Sequence, residues 1–335
     1  MRIGVDAMGS DQAPAAEVKG ALAARSVLAG GDKVVLIGRQ DEIRKHLDAA
    51  KDWQDFIEVV HAEKVIRMDD PPVESLRSRP DSSIAMMAQL HAQGELDACI
   101  SAGNTGACVA AATMRLRRLR GVHRPGIAVV TPTFHGPVVL CDVGANVSCR
   151  PQHLYQYGVM AATYSRAVCN VANPRVALLS VGEEAAKGND LVKRTHELFR
   201  GDPRMNFVGN AEGRDIFRGG CDVVACEGFV GNVVLKLMEG MAEAVIKAVV
   251  AEVAAGVPSA VDAVKMAAKV LVHKWDFNEY GGAPLLGVDG ICIICHGASD
   301  WRGIMNAVRV AKTFASGHVN EHITEMLSHS EGPVQ

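Results

Sequence analysis

Short runs of β-branched and aliphatic residues alternate with segments of helical periodicity along almost the whole chain, and this alternation constrains the fold more than any other feature. The runs are Ile3–Val5, Val34–Ile37, Ile57–Val60, Ala98–Ile100, Ile127–Val130, Val138–Cys141, Val176–Leu179, Val223–Ala225 and Gly290–Ile294. Between them lie helix-period segments at Pro14–Ala29, Asp81–Gln93, Thr105–Leu119, His153–Cys169, Leu191–Phe199 and Asp300–Ala315. A strand that is apolar on both faces must be covered twice, and a helix with one apolar stripe needs a surface to cover. Alternating the two predicts an α/β protein, a three-layer α/β/α sandwich. Ile127–Thr131 and Pro137–Cys141 are joined by only a short turn of Pro, Thr, Phe, His and Gly. That is too short for a parallel crossover, so the sheet is expected to be mixed. No linker or repeat divides the chain, which reads as one domain over 1–330 with a polar tail at 331–335. Phe229–Ala255 and Ser259–His273 read as two helices joined at Gly256-Val257-Pro258, a hairpin over about 229–273.

Charge and composition narrow the partners. Against 38 acidic residues stand 35 basic ones, and aromatics are 4%, so neither a nucleic-acid coat nor a base-stacking platform is expected. The nine cysteines fall mostly inside apolar runs, as with Cys99, Cys141, Cys169 and Cys292, and their odd number points to a reducing, cytoplasmic compartment. The N-terminus enters a strand directly and lacks a signal-peptide pattern. Phe229–Gly256, the longest apolar segment, carries Lys236, Glu239, Glu243, Lys247 and Glu252 at helical spacing and reads as an amphipathic helix.

Common catalytic signatures are missing: GxGxxG, GxxxxGK[ST] and GxSxG do not occur. Cys292-Ile-Ile-Cys295 has the spacing of a zinc half-site, but it lies in an apolar run with no second pair. His318-Val-Asn-Glu321-His322 matches an inverted zinc-protease pattern on a polar helix face near the C-terminus, and reads as a solvated face. No metal and no cofactor are expected.

Polar, glycine-punctuated loops follow several of the strands, where an α/β sheet builds its sites. They are Asp6–Asp11, Ser101–Gly106, Asp142–Asn146, Gly182–Asn189 and Cys226–Asn232. In the second, Ser101, Gly103, Asn104 and Thr105 bridge a strand and a helix, placing free amide N–H groups at a helix N-terminus, where an anion is favoured. Cys226–Asn232 repeats the arrangement before the amphipathic helix. Each loop taken alone reads as an ordinary helix cap. The two together with Gly182–Asn189, which sets Lys187 between glycines, point to a phosphate-handling pocket. Asp6 and Asp142 read as loop organisers, because a carboxylate beside phosphate repels it.

Taken in order, IGVDAMGSDQAP (3–14), MDDPPVESLRSRPDSS (68–83), DACISAGNTGA (97–107), CDVGAN (141–146), GEEAAKGN (182–189), CEGFVGN (226–232), EYGGAPLLGVDG (279–290) and HGASD (296–300) resemble the PlsX phosphate acyltransferase family from end to end. Two positions depart: the family usually has Gly-Gly-Asp at Gly9-Ser10-Asp11 and an Asp at Glu227.

The resemblance implies a fold similar to the isocitrate/isopropylmalate dehydrogenases and phosphotransacetylases, a homodimer, and no cofactor. The implied reaction converts an acyl-[acyl-carrier protein] and inorganic phosphate to acyl phosphate and free carrier, which feeds a membrane glycerol-3-phosphate acyltransferase. Phosphate is already a nucleophilic oxyanion and the leaving thiol has a pKa of about 8–9, so no Ser–His or Cys–His pair is needed. On this scheme Lys187 and His296 are the catalytic candidates. Ser101, Asn104, Thr105, Gly106, Asn146, Asn189 and Asn232 are candidates for holding phosphate or substrate. Arg115, Arg117, Arg118 and Arg120 form a basic surface suited to an acidic carrier protein, or a solvated helix face. Val253, Val257, Val261 and Val264 surround the hairpin tip, a patch for reversible, peripheral membrane contact or for burial between subunits. A short-chain phosphotransacetylase using coenzyme A thioesters and a non-catalytic scaffold recruiting carrier protein to the membrane are the competing readings. A metal-dependent dehydrogenase would need an aspartate cluster that the sequence lacks.

Overall fold

The computed structural model describes residues 1–328, side chains excepted at 272–275 and 277. The tail at 331–335 and the last two residues of the expected 1–330 unit lie outside the described residues. In chain order the strands are β1 (Arg2–Asp6), β2 (Lys33–Gly38), β3 (Ile57–His61), β4 (Ala98–Ser101), β5 (Gly126–Thr133), β6 (Gly136–Cys141), β7 (Val176–Leu179), β8 (Phe207–Ala211), β9 (Val223–Ala225), β10 (Ala283–Leu286) and β11 (Cys292–Ile294). The helices are α1 (Ala15–Ala23), α2 (Gln40–Leu47), α3 (Pro72–Ser78), α4 (Ser83–Ala92), α5 (Thr105–Arg115), α6 (Pro151–Val168), α7 (Asp190–Arg200), α8 (Gly228–Gly256), α9 (Val261–Trp275), α10 (Phe277–Tyr280), α11 (Trp301–Ser316) and α12 (Val319–Ser328).

Among the described residues, eleven strands form one sheet in the order β3-β2-β1-β4-β11-β10-β5-β6-β9-β7-β8. It is built from two parallel wings. In the first, β3, β2, β1, β4 and β11 all run one way. In the second, β6, β9, β7 and β8 are mutually parallel. Antiparallel pairs at β11–β10, β10–β5 and β5–β6 join them, so the wings run in opposite senses. The inner strands are largely buried on both sides, as their apolar runs require, whereas the edge strands β3 and β8 are partly open. One face is covered by α1, α6, α11 and α12, whose Val18, Tyr157, Ile304 and Ile323 share one core cluster. The other is covered by α3, α4 and α5 through Leu76, Ile84 and Ala111. The mixed three-layer sandwich is thus the architecture observed, with β5 and β6 forming the expected hairpin.

The differences from the sequence reading have local causes. β8 and β10 were not expected: the first is broken by Gly209, at φ +100°, and the second is four residues containing Pro284 and flanked by Gly281 and Gly282. The helix expected to run to Leu119 stops at Arg115, because Arg117 turns left-handed at φ 66°. The segment read as helical to Ala29 leaves α-helix at Ala23.

The hairpin of α8 and α9 meets the sheet at β5 and β6. At ~1.5 Å per residue the 29-residue α8 is roughly 43 Å long. Past its first turns it keeps Leu237, Met241, Val245 and Val249 exposed at four-residue intervals. No helix among the described residues is long and apolar enough to cross a membrane.

Candidate active site

The loops that the sequence singles out are held by buried carboxylates. Asp6, at the end of β1, accepts from Met8 N (3.2 Å) and from Ser101 Oγ (2.8 Å), and Ser101 Oγ in turn accepts from Gly103 N (3.0 Å). A side chain at Gly9 would put a Cβ 2.6 Å from Gly103 N, so the turns after β1 and β4 interlock and need glycine there. In the second wing, Asp142 accepts from Ile127 N and Ala145 N (both 3.0 Å), Asn146 N (2.8 Å) and Asn146 Nδ2 (3.2 Å). Burial pushes both carboxyls above the ordinary aspartate range while these donors pull them back. Ser101 and both aspartates therefore shape the loops.

Asn104 is also committed. Its Oδ1 accepts from Ala107 N (2.9 Å) and caps α5, while Nδ2 donates to the carbonyls of Arg67 (3.0 Å), Met68 (3.1 Å) and Asp70 (3.0 Å). That amide ties the 67–70 segment to the start of α5. The amides of Thr105 and Gly106, both exposed, make no hydrogen bond within the described residues and remain open to an anion. The second helix start differs. Glu227 accepts from Phe229 N (2.7 Å) and Val230 N (3.0 Å), so α8 carries its own anion and does not repeat the open arrangement at α5.

The wings meet through side chains that the sequence does not pair. Asn232 and Lys236, four apart on α8, lie on one face of that helix. Asn232 sits beside Gly144, and Lys236 Nζ reaches His296 Nε2 at 3.1 Å, across from α8 to the loop after β11. His296 Nδ1 accepts from Ala298 N (3.2 Å). Burial, and then the Lys236 charge, lower the His296 pKa, so the ring is neutral near pH 7. A neutral imidazole that accepts at Nδ1 carries its proton on Nε2. Two donors therefore face one another, with Glu239 Oε2 taking one Lys236 proton at 2.9 Å. An oxyanion approaching both nitrogens from one side would accept from both. Asp11 N donates to Gly297 O (2.8 Å), which fixes the His296 loop to the turn after β1.

Other candidates lie elsewhere. Lys187 is exposed in the turn after β7, where its amide N donates to Glu184 O. Among the described residues no hydrogen bond or ion pair joins it to Asn104, Asn232 or His296. Asn189 caps α7 through Val192 N (3.0 Å), and Asn146 Nδ2 also donates to Pro125 O (2.7 Å). Arg115, Arg117, Arg118 and Arg120 are exposed. Arg117 and Arg118 border a concavity of about 470 Å³ with Thr113, Leu119, Gly121 and Val122. At the hairpin tip Val257 is 54% exposed, whereas Val253, Val261 and Val264 are half-buried. The larger concavity, about 600 Å³, lies among Val250, Met266, Lys269 and Arg302, none of which belongs to these loops. Cys292 and Cys295 are buried thiols pushed up to about 12, and His318, Glu321 and His322 lie exposed around the start of α12. Among the described residues no group of three or more His, Cys, Asp or Glu is placed to hold a metal.

The profile of the "Fatty acid synthesis protein" family matches residues 1–322. The chain belongs to that family, the PlsX phosphate acyltransferases. It is 44% identical over 330 residues to the "Phosphate acyltransferase" of Geotalea uraniireducens strain Rf4, covering 98% of this chain and 94% of the relative. Against the "Phosphate acyltransferase" of Dictyoglomus turgidum it is 42% identical over 331 residues, with 98% of each chain covered. In fold it is similar to the EutD phosphotransacetylase from Staphylococcus aureus (TM-score 0.58, 13% identity, 93% of this chain and 94% of that one). A phosphotransacetylase from Streptococcus pyogenes is similar too (TM-score 0.60, 15% identity, 94% of each). This PlsX-family chain is thus an acyltransferase enzyme of fatty acid synthesis built on the phosphotransacetylase-like sandwich.

Proposed function

We propose that the protein transfers a fatty acyl group from an acyl-carrier protein thioester to inorganic phosphate at the junction of the two wings. The observation that carries this reading is the Lys236–His296 pair, two donors from opposite wings converging at 3.1 Å. The open amides of Thr105 and Gly106 add an anion-binding helix end in the same family of loops.

A phosphate oxygen attacks the thioester carbonyl carbon, forming the P–O–C bond and a tetrahedral oxyanion. Collapse breaks the C–S bond and expels the carrier thiolate, which then takes a proton from solvent. Lys236 and the Nε2 proton of His296 hold phosphate against the carbonyl and stabilise the charge that develops there, with Asn232 as a further donor. Lys187 is retained as a cation at the rim, able to attract the incoming anion. Carrier protein docks on Arg115, Arg117, Arg118 and Arg120. Arg115 ends α5, roughly 15 Å along that helix from Thr105, and the other three follow just beyond it, a span suited to a flexible prosthetic arm. The four-residue apolar stripe on α8 supports pairing with a second copy, and Val257 supports reversible contact with a membrane where the acyl phosphate is handed to a glycerol-3-phosphate acyltransferase.

The test mixes purified protein with palmitoyl-carrier protein and phosphate and traps acyl phosphate as a hydroxamate. Palmitoyl-coenzyme A and acetyl-coenzyme A serve as parallel substrates. Hydroxamate from the carrier thioester is expected. Product from acetyl-coenzyme A alone would make this a short-chain phosphotransacetylase, and product from none of the three would refute the enzymatic reading.

A further inference from the structure

Beneath the turn after β1 lies a carboxyl group that the reaction does not use. Glu17, in the first turn of α1, is 0% exposed. Its Oε1 accepts from Ser10 N at 3.0 Å, and its Oε2 has no hydrogen-bond partner among the described residues. A buried carboxylate oxygen without a donor is costly, whereas the same oxygen carrying a proton bears no charge. The surroundings favour the proton. Asp6, itself buried, faces Glu17 from the end of β1, and the Cys295 thiol faces it from the end of β11. Lys19, the nearest cation along α1, extends over the Trp301 ring instead. Burial, offset in part by the Ser10 contacts, raises Glu17 to about 7.

Asp6 and Glu17 hold the same turn, through Met8 N and Ser10 N respectively. The next amide, Asp11 N, donates to Gly297 O beside His296. A chain of direct contacts thus runs from Glu17 through Ser10 and Asp11 to the segment that presents His296 to Lys236.

We propose that Glu17 is a positioning residue for this site: as a neutral carboxylic acid it keeps the 8–11 turn seated against the His296 segment, and its ionisation unseats that turn and weakens the use of phosphate. The inference rests on the phosphate acyl transfer reading. An ionised Glu17 gains a buried charge whose donors come only from Ser10 and its own amide, with the Asp6 carboxyl nearby, and it is relieved by opening the turn to water. Glu17→Gln keeps an acceptor for Ser10 N and cannot ionise.

The experiment measures kcat and KM for phosphate between pH 6 and 8 in the wild type and in Glu17→Gln. With a midpoint near 7 the neutral fraction of Glu17 falls about tenfold across that range, so the variant-to-wild-type ratio of kcat/KM should rise about tenfold. The change should appear mainly in KM. Glu17→Leu, which leaves Ser10 N without its acceptor, should be slower throughout yet show the same loss of the alkaline decline. Melting temperatures over the same range need no substrate: the wild type should lose stability relative to Glu17→Gln as pH rises. Parallel activity profiles with an active wild type would overturn the proposal, as would melting curves whose difference ignores pH. A wild type that forms no acyl phosphate at any pH would instead sink the functional reading, and with it the role in phosphate use, while the melting curves still report whether Glu17 titrates.

Discussion

Replacing Asn104 separates two roles that a sequence cannot distinguish, clamping a loop and touching phosphate. The side chain satisfies one helix-capping contact, from Ala107 N, and offers its two amide hydrogens to three carbonyls at 3.0–3.1 Å. In Asn104→Ala the cap is worth about 1 kcal/mol and the two donated bonds about 1 kcal/mol each, so the variant should lose about 3 kcal/mol. Asn104→Asp keeps the capping oxygen but turns a second, anionic oxygen toward those carbonyls in a site only 5% exposed. It should cost at least as much near pH 7. A carboxyl group so placed has its folded pKa raised, so the penalty is fully present above the folded pKa, fades as pH falls through it and is gone below the unfolded one. The stability gap between Asn104→Asp and wild type should therefore narrow on acidification, whereas that of Asn104→Ala should not. Urea denaturation at pH 7.5 and 5 reads both. An Asn104→Asp protein as stable as wild type at pH 7.5, or a gap independent of pH, would refute the clamp.

Four further outcomes follow from the same geometry. Lys236→Met should lower kcat/KM for phosphate by about 10²–10³, the scale for removing one preorganised charge-stabilising donor, with the fold unchanged by circular dichroism. Arg117→Glu with Arg118→Glu should raise KM for acyl carrier protein and flatten its salt dependence while leaving KM for phosphate alone. Asp202, held down to about 2 by Arg204 and then by Tyr155, supports the fold above its unfolded pKa and loses that contribution as pH falls toward 2. Asp202→Asn should thus cost about 2 kcal/mol at pH 7 and little at pH 2, read by denaturation. Val257→Asp with Val261→Asp should reduce sedimentation with anionic vesicles at unchanged mass in solution, and a fall in that mass instead would assign the tip to a subunit interface.

Much of the architecture was legible because parallel strands buried on both faces leave continuous apolar runs, as at Val34–Ile37 and Val138–Cys141. β10 escaped because its Pro284 and flanking glycines carry turn chemistry, and its strand character comes from neighbours on both sides. Ser101, Gly103 and Asn104 were legible as a special turn, since few residue types fit there. What Asn104 bonds was not, because Arg67, Met68 and Asp70 offer main-chain carbonyls that leave no mark in residue identity. Lys187 drew attention as a cation between glycines, yet the cation that meets His296 is Lys236, which periodicity placed in a polar helix stripe with Glu239 and Glu243. Its partner lies 60 residues away, and only the strand order brings them together. The one local signal was spacing: Asn232 and Lys236 are four apart, hence on one face, directly after a glycine-punctuated helix start.

The opposed wings bear on why the cation that meets His296 sits inside a helix. In a fully parallel sheet the loops after successive strands leave by the same edge and can converge directly. Here β11 and β9 run in opposite senses, so the loop bearing His296 and the loop bearing Glu227 leave the sheet at opposite ends. The start of α8 is tied to the loop after β6, where Gly228 N donates to Asn146 O, and Lys236, two turns on, meets His296. From Gly228 to Lys236 is eight residues, roughly 12 Å of rise. A cation in the loop itself would stay at the wrong end of the sheet. Two turns of helix carry it across, and the close fit of Gly231 against Asp142 O, where a Cβ would approach to 1.9 Å, fixes the path on which it travels.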